Sequence, residues 1–112
     1  MNNQRFNEVV EQQLNYCKTL LLSKGREYSP EEMTKDRLHQ FKVAATVQSC
    51  NPKEALVGMM IKHTISIFDM CHEESIGLEK WEEKITDHIN YLLLLKAVVE
   101  EEIDEKHTSE SA

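Results

Sequence analysis

The sequence predicts an all-α fold, a four-helix-bundle-like single domain. Three observations lead there. Apolar residues recur at three- and four-residue steps through most of the 112 residues. Only three glycines and two prolines are present, too few for a turn-rich β-sandwich or barrel. Both prolines stand where helices start, in Ser29-Pro30-Glu31-Glu32 and Asn51-Pro52-Lys53-Glu54.

The first helix is expected over Asn3–Lys24, carried by Phe6, Val9, Val10, Leu14, Cys17, Leu20 and Leu21, with Gly25 as its C-terminal cap. Ser29 as N-cap, Pro30 at the first helical position and Glu32 closing a capping box open a second helix, Pro30 to about Val47. Its apolar side is Met33, Leu38, Phe41 and Ala45. The Asn51-Pro52 start opens a third helix reaching Glu74. Its apolar residues, Ala55 through Cys71, wrap most of its circumference, the pattern of a central buried helix. Ser75-Ile76-Gly77 breaks it, and a fourth helix is expected over Leu78–Ile103. The domain would therefore span 1–103, with 104–112 a frayed, polar, acidic tail.

The formal charge is −7, but it is unevenly placed. Residues 98–112 hold six acids and one lysine, so the body is nearly neutral. Without a basic footprint to displace counterions, a general duplex-DNA binder is not expected. No run of 18 apolar residues is present to span a membrane, and MNNQRFNEVV, with no basic stretch followed by an apolar one, is not expected to act as a secretory leader. Three widely spaced cysteines, Cys17, Cys50 and Cys71, without a CxxC pair, read as reduced thiols in a cytoplasmic protein.

Two polar lines interrupt the apolar helices. Lys62, Ser66, Asp69 and Glu73 fall at steps of four, three and four on the third helix, and Glu79, Glu83, Asp87 and Asn90 at steps of four, four and three on the fourth. If the lines face each other, Asp69, Glu73, Glu83 and Asp87 surround one space, with oxygens suited to Mg²⁺ and, through it, phosphate. The same spacing also makes the ordinary solvated face of a bundle helix. His63, His72 and His88 lack zinc-ligand spacing and read as titrating imidazoles. Lys24, Arg26, Tyr28, Lys35, Arg37 and Lys42 form the one basic region with an aromatic, either a surface for a base and its phosphates or a corner stapled by Tyr28. Trp81 reads as a core or interface anchor, and Tyr91–Leu95 is apolar on every side, more than one small bundle needs to bury.

Lys24-x-x-x-Tyr28, Asp36-Arg37-Leu38-x-x-Phe41, Lys62-His63-x-x-Ser66-x-x-Asp69-Met70 and Glu83-Lys84-Ile85-x-Asp87-x-Ile89-Asn90-Tyr91-Leu92 together resemble small phage-encoded helical proteins. The resemblance is to the phage nucleotide-modification-associated domains, distant relatives of the all-α MazG-type nucleoside-triphosphate pyrophosphohydrolases, and covers about residues 14–95. It implies a phage accessory protein in the bacterial host cytoplasm that binds a nucleotide or nucleotide-derived signal in an interhelical polar pocket. Lys24, Tyr28, Arg37, Lys62 and Asn90 would then meet the nucleotide, and Asp69, Glu73, Glu83 and Asp87 would hold Mg²⁺. Mg²⁺-dependent pyrophosphohydrolysis is the catalytic form of this expectation. The family's paired ExxE and ExxD motifs are replaced by Asp69-x-x-x-Glu73 and Glu83-x-x-x-Asp87, a departure that weighs on hydrolysis more than on recognition. The resemblance also implies a homo-oligomer. The alternative is a non-enzymatic antagonist of a bacterial defence system, which sequesters a nucleotide signal or binds a host defence protein such as a nuclease, in the manner of an anti-CRISPR.

Overall fold

The computed structural model describes residues 1–26 and 35–111, with the side chains of 23–26 and 111 left aside. Among these, four helices and no strand are present: α1 (Asn3–Arg26), α2 (His39–Gln48), α3 (Pro52–Met70) and α4 (Leu78–Ser111). The all-α, bundle-like expectation is what the structure has. The Ser29-Pro30 helix start, with Tyr28 and Met33, lies outside the described residues.

Local chemistry accounts for the boundaries. Asn51 caps α3, its side-chain oxygen accepting the Glu54 N–H at 2.9 Å, with Pro52 at the first helical position. Asp36 forms the matching device before α2: its Oδ1 accepts the Leu38 N–H at 3.0 Å and its carbonyl accepts the His39 N–H at 3.2 Å. Ser49 ends α2 in the left-handed region, φ 56°, so that α3 can fold back within three residues.

Four boundaries differ from expectation. The second helix, expected from Pro30, is interrupted at 35–38 by a bend and a turn closed by Asp36, so α2 starts only at His39. Helix α1 runs through Gly25 to Arg26, so Gly25 is not its terminal cap. Helix α3 stops at Met70 rather than Glu74. There the His72 ring Nδ1 donates to the Phe68 carbonyl at 2.9 Å, and Ser75 adopts φ 72°, so the backbone leaves the helix and Glu73 sits in the turn. Helix α4 does not fray at Asp104 but continues to Ser111. Its acidic half is tied to neighbouring cations, Lys42 to Glu101 at 2.6 Å and Lys53 to Glu102 at 3.1 Å, with Lys96 to Glu100 at 3.6 Å one turn apart.

Helices α3 and α4 pack antiparallel: Lys53 meets Glu102 at one end, and Thr64 Oγ1 meets His88 Nε2 at 3.0 Å further along. The His63 and Tyr91 rings pack between them at 4.8 Å. Helix α2 lies across one face of this pair. It inserts Phe41, fully buried with Leu56, into a small core completed by Leu38 and Val98, with Met59, Tyr91, Leu94 and Leu95 around it. Helix α1 attaches to α4 through buried Cys17 and Thr86, where the Gln13 amide donates to the Thr86 hydroxyl at 2.7 Å. Its residues 3–12 extend past the contact, exposed throughout. Among the described residues no helix is long and apolar enough to cross a membrane.

The core is small, so each of its side chains counts. Leu56→Ala removes the residue that α2, α3 and α4 all pack on. It is expected to cost about 2–5 kcal/mol, seen as a lower midpoint in urea unfolding followed by helical circular dichroism.

Candidate functional site

The two polar lines do not face one another. On α4, residues that meet α3 (His88, Tyr91, Val98, Glu102) and residues that meet α1 (Glu83, Thr86, Asn90) occupy different sides of the helix. The sequence-derived site residues therefore fall in three grooves. Lys62, Ser66, Asp69 and Glu73 line one of about 680 Å³ at the α3–α4 turn, with Ser75, Gly77 and Lys80. Glu83 lines a second of about 360 Å³, with Glu79, Glu82, Thr86 and, from α1, Tyr16, Thr19 and Leu20. Asp87 and Asn90 line a third of about 530 Å³, between α1 and the 36–40 turn, with Arg37, Asp36, His39, Gln40 and Leu94.

Of the nucleotide-contacting set, then, Arg37 and Asn90 are brought together, with Asp87 beside them. Lys62 stands in a different groove. Tyr28 and the Lys24 side chain lie outside the described residues. Of the metal set, Asp69 and Glu73 share a groove, while Glu83 and Asp87 each stand apart from them. Among the described residues no three His, Cys, Asp or Glu side chains are grouped as a metal site.

The groove of Arg37, Asp87 and Asn90 is held by identifiable hydrogen bonds. Arg37 is held by its Nη2, which donates to the Leu21 carbonyl of α1 at 2.8 Å. A guanidinium has five N–H donors, so this anchor positions the group and leaves donors to meet an anion. The turn bearing Arg37 is itself fixed by Asp36, whose Oδ2 accepts from Lys42 Nζ at 2.6 Å. The lysine, with the Leu38 N–H, holds the Asp36 carboxyl below its ordinary value. Asp36 and Glu101 together raise the Lys42 ammonium above its own. Opposite Arg37, Asn90 is nine-tenths buried, and its Oδ1 has no hydrogen-bond partner. A buried carbonyl oxygen left unpaired costs about 1–3 kcal/mol, a cost relieved when a ligand N–H or a cation reaches it.

Sequence reasoning singled out Arg37, with His39 in the same basic region, and Asp87 and Asn90, but did not place Asp36 and Gln40 beside them. The signal was present in the Asp36-Arg37-Leu38 string: an Asp two residues before an apolar helix start is an Asx turn, and it aims the intervening arginine. The three cysteines are unpaired: Cys17 buried, Cys50 half-buried and Cys71 exposed. In comparison with known proteins, the chain matches no family model, no curated protein and no solved structure.

The Asp36–Lys42 pair sets a pH dependence with a definite sign. A carboxyl lowered by folding adds stability above its ordinary value near 3.8, lost as pH falls through its folded value; an ammonium raised by folding adds stability below 10.5, lost as pH rises past it. The thermal midpoint should stay flat between about pH 5 and 9 and drop on either side. Lys42→Met should lower that plateau and shrink the acid-side drop, read by thermal melts from acid to neutral pH.

Proposed function

We propose that this chain binds a nucleotide or nucleotide-derived phosphate compound in the groove between α1, the 36–40 turn and α4. The observation that carries the reading is Asn90, buried and with an unpartnered side-chain oxygen, on the lining of a groove that also holds an anchored arginine. An asparagine amide offers an acceptor and donors side by side, the pattern that reads the edge of a base. The Arg37 guanidinium supplies planar, charge-assisted donors for phosphate. Leu21 and Leu94 add apolar wall. Support is chemical complementarity within one groove, joined to the sequence resemblance to phage nucleotide-modification-associated domains.

Mg²⁺ belongs to this reading as the counterion of the phosphates. Asp87 provides one carboxylate on the wall of the same groove, apart from the Asn90 amide that meets the base. Mg²⁺ commonly takes one or two protein oxygens and completes its shell with water and phosphate, so the carboxylate fits. Bound there, the ion would neutralise phosphate charge next to Asp87. Self-association of the chain is part of the same proposal.

A second reading, docking to a basic surface of a host defence protein, is favoured by one observation. The acidic residues beyond Glu102 are not on a loose tail but on the exposed end of a long helix, which carries Asp104, Glu105 and Glu110 in fixed register.

Calorimetric titration with a panel of nucleoside triphosphates, cyclic nucleotides and ADP-ribose, with and without Mg²⁺, tests the first reading. Arg37→Ala and Asn90→Ala should each weaken binding at least ~10-fold, about the loss expected from one charge-assisted or buried hydrogen bond. Asn90→Ala should leave the unfolding midpoint unchanged or higher, because it deletes an unsatisfied polar atom. No heat with any member of the panel would remove the proposal, and pyrophosphate release abolished by Asp87→Asn would extend it to hydrolysis.

A further inference from the structure

The sequence leads one to expect α3 at the centre of the bundle, apolar and covered all round. The structure covers only one side of it. Helix α2 packs against Leu56 and Met59 of α3 and against Leu94 and Val98 of α4, on one face of the antiparallel pair. Residues half a turn away on each helix lie on the opposite face of the same pair. These are Ile61, Ile65 and Phe68 on α3 and Ile85, Ile89 and Leu92 on α4. Among the described residues nothing covers them: Ile65 is 54% exposed, Phe68 64% and Leu92 50%, while Ile85 and Ile89 are half-buried at the seam.

The surface of the whole chain is correspondingly large. It exposes 8700 Å², where a compact monomer of 13.1 kDa exposes roughly 6400 Å². The radius of gyration, 17.2 Å, likewise exceeds the ~13 Å of a compact chain of this length. The excess, roughly 2300 Å², is more than the ~800 Å² that each partner gives to an ordinary stable interface.

We infer that the α3–α4 face is the interface with a second copy of this chain, the two related by a two-fold axis. Two antiparallel helices laid on their own two-fold copy make a four-helix bundle whose centre is this face. Ile61, Ile65 and Phe68 then fill the middle of a shared core, and α2 of each chain stays on the outside. The pairing is self-complementary because the face is built from one short stripe on each helix, apolar against apolar. It leaves the groove of Arg37, Asp87 and Asn90, on the α1 side of α4, open in both copies. The assignment rests on the self-association proposed above and not on nucleotide binding.

Light scattering coupled to size exclusion, on the full chain at tens of micromolar, tests it. The wild type should have twice the 13.1 kDa of one chain, and Ile65→Glu/Phe68→Glu should have the mass of one, with helical circular dichroism retained. The dissociation constant should rise by roughly 100-fold or more, as for removal of two central interface anchors. If charge at these positions lowers helix content, Ile65→Ser/Phe68→Ser should still dissociate the dimer. It should also abolish the rise of thermal midpoint with protein concentration that a dimer shows. A wild type with the mass of one chain overturns self-association and the face together. A dimer that survives both α3 variants but dissociates in Phe6→Glu/Leu14→Glu, on the exposed part of α1, overturns the face alone.

Discussion

The antiparallel contact between α3 and α4 is the constraint on which the rest of the molecule depends. At one end Phe41 and Leu56 close it, and in the middle His63 packs on Tyr91. Helix α2 exists in its observed place because Phe41 has that pocket to enter. Helix α1 is held by α4 through a polar pair and one buried cysteine rather than by a wide apolar stripe. Stability is thus concentrated in a few residues at the α2–α3–α4 junction, and the remainder of the apolar surface is left uncovered.

That economy shapes the chemistry. Turning its α3-facing side to one partner and its α1-facing side to another, α4 separates the carboxylates that equal spacing had seemed to align. Asp69 and Glu73 end up at the α3–α4 turn, while Asp87 and Asn90 end up against α1 and Arg37. The groove that results holds one anchored cation, one carboxylate and one buried amide oxygen with no partner of its own. The Asp36–Lys42–Glu101 chain of charges ties the turn bearing Arg37 to the far part of α4, so the site and the core share a brace.

Much of the fold was legible because its cues are local. Asn51-Pro52-Lys53-Glu54 folded as a capped helix start with the bond to Glu54 that the motif requires. Phe41, Leu56 and Val98 lie on the apolar stripes that the three- and four-residue periodicity marked. The end of α3 was not legible, since it depends on His72 reaching back to the Phe68 carbonyl, and neither was the end of α4, since its acidic turns are supported by lysines 49 and 59 residues earlier in the chain. For the site, the pairing of Arg37 with Asn90 could be suspected from residue type alone, but not the removal of Lys62 from their company.

By itself the sequence determined that the chain is helical and where most of its helices begin, because capping and periodicity act within a few residues of one another. Only the tertiary structure decided which polar residues share a groove. A helix of 3.6 residues per turn presents several lines at once, and the partner packed on each line chooses what meets. The same choice settled the fate of α3: apolar all round in sequence, it is covered on one side by this chain and open on the other, because two neighbours cannot surround a cylinder.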